Sequence, residues 1–137
     1  MIKQSLLCAF LLGATAPAAA QEIEVGRANW GKLPALELAG PQLAHADLVT
    51  FVERLLVNKH CSFKGNTARR FDITVPYAVL LEPSGKVSRV LVAETNCAPL
   101  ETIVGKTAIA LADAGAIKSA PAGEARWYAS EVNFALE

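Results

Sequence analysis

Along the chain, polar and apolar positions alternate with two different periods. From Ala44, the residues Ala44, Leu48, Phe51, Val52, Leu55 and Leu56 recur at spacings of three and four, while Asp47, Glu53 and Arg54 fall between them. That pattern predicts an amphipathic helix over Leu43 to Lys59 with one face on a core. After the polar stretch "CSFKGNTARR" the period changes to two: Phe71, Ile73, Val75, Tyr77, Val79 and Leu81 share one face, and Asp72, Thr74, Pro76, Ala78, Leu80 and Glu82 the other. This predicts a strand with the first set inward. Because Pro76 has no N–H, the strand must lie at an edge there or be locally unpaired.

The segment "EPSGK" has the composition of a turn, and "VSRVLVAE" returns as a second strand, making a hairpin. Helical spacing resumes with Leu100, Ile103, Val104, Thr107, Ala108, Leu111 and Ala112. Pro99 and Glu101 suit the first turn, and Gly115 suits the end. A last strand, "RWYASEVNFAL", turns Tyr128, Val132, Phe134 and Leu136 inward and Trp127, Glu131 and Asn133 outward. The predicted order is α-β-β-α-β: an α+β fold with a small, mainly antiparallel sheet and two helices on one face. The alanines of the second helix (Ala108, Ala110, Ala112, Ala114, Ala116) predict close packing on the sheet.

The N-terminus changes the compartment. Lys3, an apolar run and the small residues Ala18 to Ala20 read as a secretory signal peptide, residues 1–20. The run is short for a membrane span and is broken by Gly13 and Pro17. Cleavage leaves 117 of the 137 residues and removes Lys3, so 12 basic residues face 13 acidic ones. Residues 21–42, rich in Gly and Pro, read as an irregular leader with a short strand near Leu36 to Leu38; residues 43–137 read as one domain. The near-neutral charge points to neither nucleic acid nor a stable membrane anchor. Export to an oxidising compartment makes a Cys61 to Cys97 disulfide the expected state of the two remaining cysteines.

Catalytic chemistry finds little support. His60 beside Cys61 could activate a thiolate, but neighbours on one chain seldom face each other and a disulfide would consume the thiol. His45, His60 and the cysteines lack paired zinc spacing, so no metal is expected. No nucleophile-elbow, zinc-helix, phosphate-loop or dinucleotide motif occurs, and no cofactor is expected.

The run Val75 to Leu136 resembles the C-terminal domain family of TonB, the periplasmic energy transducer. The matching features are the spacing G-x-V-x-x-V-x-V (Gly85, Val87, Val90, Val92), the Leu100-Glu101 pair opening a helix, and Pro121 before a strand ending in Val132, Phe134 and Leu136. The family's Tyr-Pro motif is replaced by "NKHCSFKG", and a Pro-rich spacer and membrane anchor are missing. The resemblance therefore implies a periplasmic protein-binding fold rather than coupling to the proton gradient. It implies that the last strand is an edge that takes up an extended partner segment, as TonB domains do with outer-membrane receptors, with Arg126, Trp127, Glu131 and Asn133 as the contact residues. It also allows a homodimer through edge strands. Trp127 has a competing reading, as core packed beneath the leader against Trp30. The whole-chain expectation is a non-enzymatic binding module for an outer-membrane receptor or another exported protein. Its alternatives are a periplasmic small-ligand carrier and an inhibitor or chaperone-like accessory of an exported protein.

Overall fold

A computed structural model describes residues 30–39, 46–118 and 123–137. The signal-peptide assignment, most of the leader and the expected helix start at Leu43 to His45 lie outside these residues. The element order is α1 (Ala46–Val57), β1 (Phe71–Leu81), β2 (Val87–Val92), α2 (Ala98–Asp113) and β3 (Arg126–Leu136). The three strands form one antiparallel sheet in the order β2-β1-β3, an α+β arrangement. No helix among the described residues is long and apolar enough to cross a membrane.

Strand β1 is central. Phe71, Ile73, Val75, Tyr77, Val79 and Leu81 are all buried; all but Leu81 join Val52 and Leu55 of α1, Leu100, Val104 and Ala108 of α2, and Val132 and Phe134 of β3 in one core. The period-two assignment of the inward face therefore holds. Pro76 is not at an edge, since it pairs opposite Glu131 of β3. Its carbonyl accepts from the Ala93 N–H at 3.0 Å, so its polar groups point toward the β2 side, where the β2 ladder ends at Val92 opposite Tyr77. The missing N–H falls at the one end of that ladder where no strand residue needs it.

The opposite face of β1 is only half polar. Asp72 and Thr74 are exposed, but Ala78 and Leu80 are buried in a second cluster with Trp30, Ala93 and Trp127, bordered by Leu33, Leu91, Ala125 and Ala129. The two helices pack on one face, and the leader covers part of the other. Strand β2 reaches both clusters through a bulge. Leu80 pairs with Arg89 while Leu81 pairs with Val87, which leaves Ser88 extra, its hydroxyl donating to the Leu80 carbonyl at 3.4 Å. The bulge accounts for the three-residue step between Val87 and Val90, both of which face the helices.

Both helices end in the same motif. In α2, Gly115 (φ 70°) donates to Ala112 and Ala116 donates back to Leu111, a Schellman arrangement with glycine at its left-handed position. In α1, Lys59 donates to Leu56 and His60 to Leu55, but the left-handed residue is Lys59, at φ 55°. Helix α1 therefore stops at Val57, two residues short of the expected end. Of the alanines expected in the second helix only Ala108 reaches the core; Ala110 is exposed and Ala112 half-exposed, and Ala114 and Ala116 lie past the end of α2. At Gly105, which faces β2, an added Cβ would stand 3.6 Å from the Val92 side chain, an ordinary van der Waals contact.

Cys61 and Cys97 are bonded, with their Cα atoms 5.5 Å apart, and both are buried. The bridge ties the end of α1 to the residue that caps α2. There the Cys97 carbonyl accepts from Leu100 and Glu101, and the Glu101 carboxylate reaches back to the Thr95 N–H at 2.7 Å.

Two stability outcomes follow from these contacts. Replacing both cysteines with serine should cost about 4 kcal/mol in denaturant titrations, the loop-closure value for this span; a loss below about 1 kcal/mol would show that the bridge adds little. Lys59→Gly should raise stability by about 0.5–1 kcal/mol by relieving a left-handed lysine, and an unchanged or lower melting temperature would contradict that.

Candidate functional site

The chemistry available to this fold is best followed along the outer edge of β3. Ala129 shows which way its peptide groups face. The Ala129 N–H donates to the Pro34 carbonyl at 3.0 Å, and the Ala129 carbonyl accepts from the Leu36 N–H at 2.8 Å, a parallel bridge centred on Ala35. The leader then leaves the strand and bridges Leu38 to Ile117, with Ala39 donating to Ala116 and Lys118 to Glu37. The expected short strand in the leader is thus two isolated bridges, each to a different partner.

Peptide groups alternate direction along a strand, so those of Glu131, Asn133 and Ala135 point the same way as Ala129's, and no described residue of the leader bonds to them. They form an open edge three donors long. A cleft of about 390 Å³ lies where the leader leaves it, lined by Ala35, Leu36, Ala129, Ser130, Glu131 and Asn133. Its floor is anchored from the core side: Ser130 sits opposite Tyr77 and their side chains are hydrogen-bonded, and burial pushes the Tyr77 hydroxyl above its ordinary value near 10.0 while this bond pulls the other way.

The four residues expected to contact a partner are not equivalent. Glu131 is exposed beside the open edge. Asn133 is held in place, its amide donating to Asp72 Oδ1 at 2.6 Å and Thr74 Oγ1 at 2.9 Å across the pair of strands. Arg126 is exposed and lies 3.7 Å from Glu124, a surface pair of small energetic weight. Trp127 is the correction. It faces away from the helices as expected, yet it is only 5% exposed, in the cluster that contains Trp30, with the Arg89 guanidinium 5.6 Å from its ring centroid. It is a covered structural residue, and the reading that packed it beneath the leader is the one that matches.

Among the described residues neither indole N–H, of Trp30 or of Trp127, has a hydrogen-bond partner. The described part of the leader is held on this face by apolar burial, Trp30 and Leu33 packing with Trp127, Ala78 and Leu80. The residues that sequence reasoning missed at this edge are Pro34, Ala35, Leu36 and Ala129. Their only signal was the local apolar pattern around Leu36, which marks an extended segment without naming what it pairs with.

A second cleft, of about 410 Å³, lies between the hairpin turn and the end of α2, lined by Ser84, Gly85, Lys86, Val87, Ile109, Ala112 and Asp113. Among the described residues no group of three or more His, Cys, Asp or Glu is placed to hold a metal.

Because the folded-state Tyr77 hydroxyl titrates above its unfolded value, its contribution to stability is complete below pH 10 and declines as pH rises beyond it. Tyr77→Phe should therefore flatten the stability profile above pH 10 while losing about 1 kcal/mol near neutrality with the Ser130 bond; an equally steep alkaline decline in the variant would place the titrating group elsewhere. No family model, curated protein or solved structure matches this chain.

Proposed function

We propose that the chain is an exported, non-enzymatic binding module of TonB C-terminal-like fold that takes up an extended segment of a periplasmic or outer-membrane protein along the outer edge of β3. One observation carries the reading: this edge already accepts an extended chain, the protein's own Pro34 to Leu36, through two backbone hydrogen bonds at Ala129. A partner strand would extend the same pairing past Glu131, Asn133 and Ala135. Backbone bonds would give affinity, and the cleft beside Leu36 would select one side chain of the partner. The resemblance of Val75 to Leu136 to the TonB family and the disulfide, which suits an oxidising compartment, support the same reading.

The test removes one edge donor without touching the ladder to β1. Glu131→Pro deletes an outward N–H opposite Pro76, on the side that faces no strand. Captured from an envelope extract, a partner bound by the native protein should be lost with Glu131→Pro and kept with Ile109→Glu, an exposed change at the other cleft. A partner retained by folded Glu131→Pro, or lost equally with Ile109→Glu, would remove the β3 edge from the function.

A further inference from the structure

The near-zero net charge conceals a strongly one-sided segment. Between Glu53 and Asp72 the chain carries Arg54, Lys59, Lys64, Arg69 and Arg70, with His60 among them, and no acidic residue. Five of the 13 lysines and arginines thus fall in one turn of helix and the loop that follows it. All five side chains are exposed, and none has an ion-pair partner among the described residues.

This segment is not a loose tether. Its start is fixed by the bond from His60 to Leu55 and by the Cys61 to Cys97 disulfide, and Phe63 packs half-buried on the main core. Its end is fixed by Asn66, whose side chain accepts from the Asp72 N–H at 2.8 Å and donates to the Lys64 carbonyl at 3.1 Å. Thr67 and Arg70 exchange two backbone bonds of 2.9 and 3.2 Å. Glu53 and Asp72 bracket it in sequence, the Asp72 carboxylate already accepts from Asn133, and the pairing of Phe71 with Leu136 brings Glu137 alongside Arg70. The disulfide brings the turn that carries Glu94 and Glu101 toward its start, where the Glu101 carboxylate already accepts from the Thr95 N–H. Within residues 54–71 themselves every charge is positive.

A second feature lies within the same surface. Val57 is 60% exposed, the most exposed large aliphatic residue of the described chain, and it sits three residues after Arg54 on α1 and two before Lys59. Neither cleft described above is lined by any residue of this segment. An exposed aliphatic side chain between Arg54 and Lys59, followed by a loop with three further cations and away from either groove, matches the demands of a charged interface with an apolar interior behind it rather than those of a threaded peptide.

We propose that the disulfide-anchored segment Arg54 to Arg70 is a docking surface for an anionic lipid membrane, its lysines and arginines against phosphate headgroups and Val57 entering the interfacial layer. This reading is independent of the β3 edge.

The test is sedimentation of the full chain, with its disulfide intact, on vesicles of phosphatidylglycerol and phosphatidylcholine compared with phosphatidylcholine alone. The expected result is binding to the anionic vesicles only, abolished in about 1 M salt, where the Debye length falls to about 3 Å. Each cation near such a surface is worth about fivefold in affinity, so the combined change Lys64→Glu, Arg69→Glu and Arg70→Glu should weaken binding by more than about a hundredfold. Because all three side chains are exposed, folding should be unchanged by circular dichroism. Val57→Asp, which leaves every cation in place, should weaken binding severalfold. Absence of binding to anionic vesicles at low salt, equal binding to neutral vesicles, or full retention by the triple variant would each overturn the proposal. Tighter capture by immobilised polyglutamate than by the vesicles would assign the surface to an acidic protein segment instead, and would equally overturn it.

Discussion

Strand β1 must satisfy neighbours on both edges and, over half its length, on both faces. Its two edges are taken by β2 and β3. Its helix-side residues are buried from Phe71 to Leu81, and its other face is buried at Ala78 and Leu80. The second requirement reaches furthest. Two helices cover one side of a three-stranded sheet, and among the described residues no helix lies on the other, where the apolar half of the face is closed by other means. The chain uses Trp127 from β3 and Trp30 from the leader, and lets the Arg89 guanidinium lie over the Trp127 ring. The polar half needs no cover; there Asn133 cross-links Asp72 and Thr74.

That division explains what could be read in advance. Periodicity identifies the face on which a side chain lies, so both helices, all three strands, the inward set of β1 and the inward set of β3 were legible. Even the step of three between Val87 and Val90 was present in the sequence, as a break in period two that the bulge at Ser88 resolves. Periodicity does not say whether a face is covered. Ala78 and Leu80 were assigned correctly to the face away from the helices, but their burial depends on a leader more than forty positions away, and so did the fate of Trp127. The α2 alanines failed for the opposite reason. Alanine is as much at home on an exposed helix face, where its propensity is high, as in a tight contact, so its frequency alone did not single out Ala108 as the one that reaches the core.

The same leader shapes the candidate site. In covering the second face it must pass around the β3 edge: Trp30 belongs to one cluster and Leu36 to the other. Crossing there, it pairs once with Ala129 and turns away to Ile117, which protects part of the edge and, among the described residues, leaves the part from Glu131 onward open. An unprotected edge invites self-association, and the exposed carboxylate of Glu131 on that stretch is the kind of residue that opposes it. The edge is thus divided by the chain itself into a closed stretch and an open one, and only the open one is available without moving the leader.

The disulfide belongs to a different part of this economy. A bond between the end of α1 and the cap of α2 lies far along the chain from the leader and does nothing for the second face. Its direct effect is on the segment that enters β1, where Lys64, Arg69 and Arg70, close in sequence to Arg54 and Lys59, repel one another and, in a flexible loop, would spread into solvent. Holding that segment by Cys61, Asn66 and the Thr67 to Arg70 bonds keeps its charge concentrated at one end of the sheet. A charged surface that is already ordered loses less conformational entropy when it meets an oppositely charged one, so the same number of contacts yields more affinity than a disordered basic tail would. Stabilising the domain and presenting the charge are therefore served by one covalent bond, because both depend on fixing the same turn between α1 and β1.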